Sequence, residues 1–216
     1  MAIKRDYGQF CGLAGALNVI GERWTLLVIR ELLIDGVRFT EIMDNLPGIG
    51  PNLLAERLRV LGEHGVVEQL PVRGDARGRQ YRLTELGRRL CGPVLELARW
   101  GMSFLSDEDG AGVVRGEWGF LAVQAMVRPD AVPDEDQTYE FRIGEPVFVV
   151  RVRGGEVSFA RGGDPAADLV VTSDPDTFVR IGAQMLTPFQ AMAAGRIRVE
   201  GDQRAIHCCV RMLGLS

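Results

Sequence analysis

The chain has 216 residues, of which 46% are hydrophobic and 25% are charged, and its formal net charge is −4. This composition is typical of folded globular proteins and excludes wholesale disorder and fibrous repeats. No apolar run reaches the roughly 18 residues of a membrane helix, and no apolar signal segment follows Met1. We therefore expect a cytoplasmic protein without a membrane partner.

The residues that carry most enzyme and metal chemistry are sparse and scattered. The cysteines and histidines are Cys11, Cys91, Cys208, Cys209, His64 and His207. They form no CxxC pair and no Cys/His cluster, and neither histidine accompanies a recognisable nucleophile motif. We therefore expect no metal, no cofactor and no enzymatic activity.

Charge divides the chain into two unlike halves. Residues 1–105 carry 14 Lys/Arg and 12 Asp/Glu, a net charge of +2, whereas residues 106–216 carry 11 and 17, a net charge of −6. The stretch 106–112 is acidic, contains two glycines and has no hydrophobic period, which is typical of a linker. We expect an α+β protein with domains over 1–105 and 113–216.

Hydrophobic spacing predicts four helices before residue 65. Apolar residues at steps of three and four indicate helices over 10–20, 24–33 and about 39–46. A fourth helix opens at Pro51 and buries one apolar side, formed by Leu53, Leu54, Leu58 and Leu61. Its opposite side consists of Asn52, Ala55, Glu56 and Arg59, with Arg57 near the boundary. A short polar face that carries Arg and Asn suits the major groove of DNA, although a plain solvated face has the same composition.

A basic hairpin follows the fourth helix. Strand-like runs over 66–72 and 79–83 flank a loop with two glycines. Three arginines surround that loop: Arg73, Arg77 and Arg79. After a helix-turn-helix such a hairpin is a wing, and its arginines are candidates for contacts with DNA phosphates.

A long helix is predicted over 85–105, with Thr84 as its N-cap. Apolar residues recur along one side at Leu86, Leu90, Val94, Leu97 and Phe104. So long a stripe predicts pairing with a second copy of the chain, while packing against the second domain or the first helix is the alternative.

Four segments together resemble a known family. They are Gly21-Glu-Arg-Trp-Thr-Leu-Leu-Val-Ile-Arg-Glu-Leu, Arg38-Phe-Thr-Glu-Ile, Leu46-Pro-Gly-Ile-Gly-Pro-Asn-Leu-Leu-Ala-Glu-Arg-Leu and Tyr81-Arg-Leu-Thr-Glu-Leu-Gly. In this order they are similar to the winged helix-turn-helix of HxlR-type transcriptional regulators over roughly residues 7–105. The resemblance implies a homodimer on double-stranded DNA whose fourth helix reads bases.

The resemblance also assigns roles to individual positions. Pro51 joins Asn52, Ala55 and Glu56 at the bases, Arg57 and Arg59 contact bases or phosphates, and Arg23, Thr25 and Arg38 touch the DNA backbone. The outer helices form the dimer contact, through Leu13, Leu17, Leu90, Val94, Leu97 and Phe104. Family members often carry a Cys-Pro pair where this chain has Cys11 followed by Gly12, so a redox role for Cys11 stays open.

The second half alternates strands and helices. Strands are predicted over 138–143, 146–152, 156–160 and 167–172 as an antiparallel sheet, followed by helices from Pro175 and Pro188, a strand over 196–200 and a last helix capped by Asp202. The segments 167–178 and 188–202 resemble the sterol carrier protein type two fold, which implies a cavity for apolar molecules. Candidate lining residues are Phe148, Val150, Phe178, Ile181, Met185, Phe189 and Met192, which plain core packing would equally explain.

Taken together, the patterns predict a homodimeric DNA-binding regulator whose second domain senses an apolar small molecule. Two alternatives remain. One is a carrier of apolar ligands whose first domain serves mainly for dimerisation, and the other is a regulator that responds to oxidation of Cys11.

Overall fold

The computed structural model describes residues 6–72, 74–107 and 112–215, and it leaves aside the side chains at positions 76 and 77. The chain divides into two compact units, Met1–Val94 and Leu95–Ser216. The sequence places the domain border later, at residue 105, and that border remains a proposal. Residues 108–111 of the expected linker lie outside the described part.

In its described residues the first unit combines five helices, and the start of a sixth, with a small sheet. Its elements are α1 Gly12–Ile20, α2 Thr25–Ile34, β1 Val37–Arg38, α3 Phe39–Asn45, α4 Pro51–Glu63, β2 Val67–Val72, β3 Asp75–Leu83 and α5 Glu85–Arg88, followed by the first residues of α6 Cys91–Met102. The strands are antiparallel in the order β1-β3-β2. The two-residue β1 escaped prediction because so short a run carries no alternation.

Leucines of α4 anchor it in the core of this unit. Leu54, Leu58 and Leu61 are buried against a cluster that includes Val28 and Ile29 of α2. All three leucines lie on one side of α4, as the spacing predicts. Burial of this side leaves the opposite side of the helix to face solvent.

A tight turn connects α3 to α4. Gly48 has a φ of +98°, which L side chains rarely adopt. Its Cα faces the Trp24 indole, because a Cβ placed there would lie 3.6 Å from the ring. The Pro47-Gly48 stop therefore also brings the start of α2 beside the start of α4.

The long helix expected over 85–105 is divided into α5 and α6. Thr84 caps α5 as predicted, since its hydroxyl oxygen accepts the backbone N–H of Gly87 at 3.1 Å. The break follows from Pro93, which has no N–H and whose ring excludes the carbonyl of Arg89, four residues earlier, from a helical position. The helix restarts at Cys91.

The second unit is built on a five-stranded sheet. After the end of α6 its elements are α7 Trp118–Met126, a 3₁₀ turn Pro129–Ala131, β4 Gln137–Ile143, β5 Val147–Arg153, β6 Glu156–Arg161, β7 Leu169–Ser173, α8 Pro175–Gly182, α9 Pro188–Ala193, β8 Ile197–Gly201 and α10 Gln203–Met212. The strand order is β6-β5-β4-β7-β8. The expectation of a wholly antiparallel sheet is wrong, because β7 pairs with β4 in parallel. The chain reaches β7 by a loop that returns past β4 instead of by a hairpin turn.

Aromatic side chains fill the core of the second unit. Phe141 of β4 stacks on Phe148 of β5 with ring centroids 5.4 Å apart and meets Phe178 of α8 edge-on at 6.2 Å. Val123 of α7 and Met212 of α10 belong to the same buried cluster. Helices therefore cover the sheet face that carries Phe141, and the predicted α+β class is confirmed.

Within the described residues no single helix is long and apolar enough to cross a membrane. One pair of helices, Gly12–Ile20 and Thr25–Ile34, together has the length and the apolar composition of a membrane span, but the two helices are bent by 82° relative to each other.

Candidate nucleic-acid interface and apolar domain

One side of α4 presents a polar stripe to solvent. At roughly 100° per residue, positions spaced by four, three and four residues fall within about 60° of one another. We define the polar stripe as the residues at these positions: Asn52, Glu56, Arg59 and Glu63. The stripe lies on the side opposite the buried leucines, and its members are exposed or half-buried. A face of this kind can enter a groove while the leucines hold the helix to the domain.

Arg59 lies between two carboxylates of its own helix. Its Nη2 donates to Glu56 Oε1 at 2.8 Å, and its Nη1 pairs with Glu63 Oε1. The hydrogen bonds that Arg59 donates to Glu56 and to Glu63 raise the pKa of Arg59, and the bond accepted from Arg59 lowers the pKa of Glu56. Sequence reasoning missed Glu63, although its spacing of four residues from Arg59 was a usable signal.

Arg57 binds the turn before α2, a contact that the sequence did not suggest. Its Nε donates to the Arg23 carbonyl at 3.3 Å and its Nη2 lies 3.4 Å from Glu22 Oε2. Only 15% of its side chain is exposed. Arg57 thus holds the turn before α2, where Trp24 adopts a φ of +76°, and we leave it out of the DNA-contacting set.

Most other predicted contact residues of the helices are at the surface. Pro51, Asn52 and Ala55 are exposed at the start of α4. Arg23 is also exposed, with its guanidinium 5.5 Å from the Trp24 ring centroid. Thr25 is the exception, because it is buried and its hydroxyl has no hydrogen-bond partner among the described residues. A buried hydroxyl cannot reach a phosphate, so Thr25 is removed from the set.

Two candidates for DNA contacts, Arg38 and Arg79, are described at or beside the hairpin. Arg38 is exposed beside it and its Nη1 lies 3.2 Å from Asp75 Oδ2. Arg79 is exposed, and its Nη1 donates to the Gly78 carbonyl at 3.0 Å. The predicted contacts of Arg73, and of the Arg77 side chain, lie outside the described residues.

The residues predicted for dimerisation separate into two groups. Leu90 and Val94 are half-buried and pack against the core of the first unit. The exposed group comprises Leu13, Leu17, Leu97 and Phe104. Trp100, which the sequence reasoning passed over, is 66% exposed and its ring centroid lies 4.6 Å from that of Phe104. Large apolar side chains this exposed are typical of a surface that a partner covers.

Cys11 is exposed immediately before α1. The backbone amides of Ala14 and Leu13 lower the pKa of its thiol, because N–H groups at a helix start stabilise a thiolate. The described residues hold no group of three His, Cys, Asp or Glu side chains suited to a metal.

The predicted apolar-ligand residues also separate by burial. Phe148, Val150, Phe178 and Ile181 are buried and Met185 is half-buried. Phe189 and Met192 of the short helix α9 are 79% and 48% exposed, so they do not line an internal cavity here. Residues three apart share one face of a helix, and in α9 that face is exposed, whereas Ala191 is buried.

A groove of about 460 Å³ lies on the other face of the sheet from the aromatic core. Its lining residues are Glu140, Arg142, Val147, Gly163, Asp164, Pro165, Ala167 and Val170. Glu140 is nearly buried and accepts the backbone N–H of Asp164 at 2.7 Å and Arg142 Nε at 2.6 Å. None of the predicted ligand residues lines this groove.

Comparison with known proteins agrees with both units. A model described as HxlR-like helix-turn-helix matches residues 19–109, and one described as the SCP-2 sterol transfer family matches residues 124–207. An uncharacterized HTH-type transcriptional regulator of Mycobacterium tuberculosis is 41% identical over 95 residues, which is 44% of this chain and 60% of that relative. The chain therefore spans less than two thirds of that relative's length.

The HTH-type transcriptional regulator YodB of Bacillus subtilis is 32% identical over 97 residues, covering 45% of this chain and 87% of YodB. A solved structure described as quinone-bound YodB is 34% identical, with a TM-score of 0.37 over 41% of this chain and 93% of that one. The winged helix and the sequence matches define a helix-turn-helix protein. The chain belongs to the HxlR-like helix-turn-helix family, and both resemblances drawn from the sequence are confirmed.

Proposed function

We propose that this protein is a DNA-binding transcriptional regulator of the HxlR type, acting as a homodimer on an inverted-repeat operator. The observation that carries the proposal is the polar stripe of α4, exposed on one side of a helix whose leucines are buried on the other. Asn and Arg side chains in such a stripe can make bidentate hydrogen bonds to base edges in the major groove. The names of the relatives, which describe HTH-type transcriptional regulators, support the same class.

Dimerisation is supported by exposed apolar side chains in both units. In the second unit Leu97, Trp100 and Phe104 present an aromatic and aliphatic surface to solvent. A homodimer would cover it and would also place two reading helices about 34 Å apart, the repeat of successive turns of a duplex. Native mass spectrometry of wild type and Leu97→Asp tests this: wild type gives a dimer and the variant a monomer, while an unchanged dimer rejects this surface.

The second unit would sense an apolar small molecule held between its sheet and its helices. The support is the match to the SCP-2 sterol transfer family and the apolar core around Phe141. The effector signal would pass through α6, whose later part is fastened to this unit. Arg99 Nε donates to the Ala125 carbonyl at 2.6 Å, and Arg180 Nη1 lies 2.5 Å from Asp107 Oδ1 beyond the helix end. An effector acts only if it binds one arrangement of α6 better than another.

Binding to genomic DNA fragments tests the main proposal against a simple carrier of apolar ligands. A regulator retains one fragment selectively above about 150 mM salt, because base contacts survive when phosphate attraction is screened. A carrier whose first domain serves only for dimerisation retains all fragments equally or none. Native mass spectrometry of the same preparation reports any apolar guest that the second unit keeps.

A second candidate is a thiol switch at Cys11. It is favoured by the exposed position of Cys11 and by its lowered pKa, and the quinone-bound form of YodB shows that a relative takes a quinone. In this case benzoquinone or hydrogen peroxide releases DNA from the wild-type protein but not from Cys11→Ser. Equal release from both proteins rejects the switch.

A further inference from the structure

Arg59 is the cation of the polar stripe, and it is bound on both sides by carboxylates. Glu56 precedes it by one turn and Glu63 follows it by one turn, and both pair with its guanidinium. Over these three residues the stripe carries a net charge of −1. The side of α4 expected to face DNA is therefore slightly repulsive toward phosphates, although most DNA-reading surfaces are basic.

The three side chains remain in water, which decides how firmly they hold one another. About half of the Arg59 side chain is exposed, and Glu56 and Glu63 are 37% and 57% exposed. Ion pairs at such exposure are weak and readily exchanged for a better partner. The pairing is thus strong enough to occupy Arg59 in the absence of a good acceptor, and weak enough to release it to one.

We propose that Glu63, together with Glu56, is a specificity-determining residue that withholds Arg59 from DNA phosphates and yields it only to a matching base edge. The inference rests on the proposed function, because it assumes that the polar stripe meets DNA. A bidentate pair of hydrogen bonds to guanine O6 and N7 replaces the lost carboxylate contacts of Arg59 better than one hydrogen bond to a phosphate oxygen does. On random DNA no such acceptor is in register, so Arg59 stays with its carboxylates.

The position of Glu63 separates its role from that of Glu56. Glu63 is the last residue of α4, eleven residues and about 16 Å along the axis from Asn52. Base edges are contacted mainly from the first turns of a reading helix. Glu63 therefore lies toward the phosphate wall of the groove, on the side from which a phosphate would approach Arg59.

Glu63→Gln tests the inference by removing one charge and keeping the side-chain shape. The variant is titrated by fluorescence anisotropy against an operator selected from genomic fragments and against random duplex of equal length, at several salt concentrations. We expect affinity for random DNA to rise about three- to tenfold and its salt dependence to steepen, because each Arg59 of the dimer then keeps only the Glu56 carboxylate and meets phosphates more readily. Operator affinity rises less, so the ratio of the two affinities falls by at least threefold.

Two further variants keep the result interpretable. Glu200→Gln removes the same charge from an exposed Arg198–Glu200 pair in the second unit, and we expect no change in the affinity ratio. Adding Arg59→Ala to Glu63→Gln cancels the gain on random DNA. Circular dichroism checks that each variant is folded.

Three outcomes overturn the inference. They are an unchanged affinity of Glu63→Gln for random DNA, an equal gain in Glu200→Gln, and a gain that survives Arg59→Ala. If the wild-type protein prefers no DNA sequence, that result refutes the proposed function itself, and the inference is then refuted as well.

Discussion

Leu54→Ala should loosen the anchor that holds the polar stripe of α4 in place. Leu54 is fully buried among the leucines behind the stripe. The substitution removes three carbons, about 2.4 kcal/mol at ~0.8 kcal/mol per buried methylene. A residual cavity adds about 1 kcal/mol at ~24 cal/mol per Å³. The expected loss is about 3 kcal/mol, a large part of the 5–15 kcal/mol that stabilises a typical domain.

Hydrogen exchange under increasing urea measures this loss in the first unit alone, through the peptides that cover α4. With a denaturant slope of ~1.5 kcal/mol per M, the opening midpoint should fall by about 2 M. Leu27→Ala on α2 is the matched control, because that leucine is 40% exposed and its truncation should cost only about 1 kcal/mol. Equal losses for the two variants would refute the claim that buried leucines anchor the reading helix.

Two further effects should be measurable by denaturation of the purified protein. Gly87→Ala should destabilise the first unit by about 2 kcal/mol, because the new Cβ would lie 2.1 Å from the Val66 carbonyl oxygen. Gly92→Ala is the control, since a Cβ at this position meets nothing within 4 Å and should not destabilise the unit. Similar melting temperatures for the two variants would contradict this prediction. In the second unit, burial raises the pKa of Cys209 to about 12 and also raises that of Tyr139. The folded state then keeps protons that the unfolded chain loses, so the free energy of unfolding should be constant below about pH 8 and fall above about pH 9. Cys209→Ala should make this fall shallower between about pH 9 and 10. An equally steep fall in the variant would argue against a role for the buried thiol.

The spacing of the apolar residues predicted the helices and strands that depend on local sequence. The leucine side of α4, the cap at Thr84 and the hairpin after it follow from residues close together in the chain. The break before Cys91 was equally local, and Pro93 was the signal. The spacing of apolar residues does not show which distant segments pair with one another. For this reason β1 and the parallel pairing of β7 with β4 were missed.

The candidate site shows the same division. Spacing identified Asn52, Glu56 and Arg59 as one face, because helical geometry fixes which residues share a side. Spacing could not show that Arg57 turns back to the Arg23 carbonyl, or that Thr25 is buried. Both depend on how α2 packs beside α4, which is a tertiary contact.

The interface claim meets its most direct test in the affinity of one double variant, Asn52→Ala with Arg59→Ala, for a selected operator. Each bidentate base contact contributes ~1–3 kcal/mol, and a dimer loses every contact twice. We expect operator affinity at 150 mM salt to fall at least a hundredfold, close to the affinity for random duplex, while Arg198→Ala in the second unit retains wild-type binding. Wild-type operator affinity in the folded double variant would contradict the account.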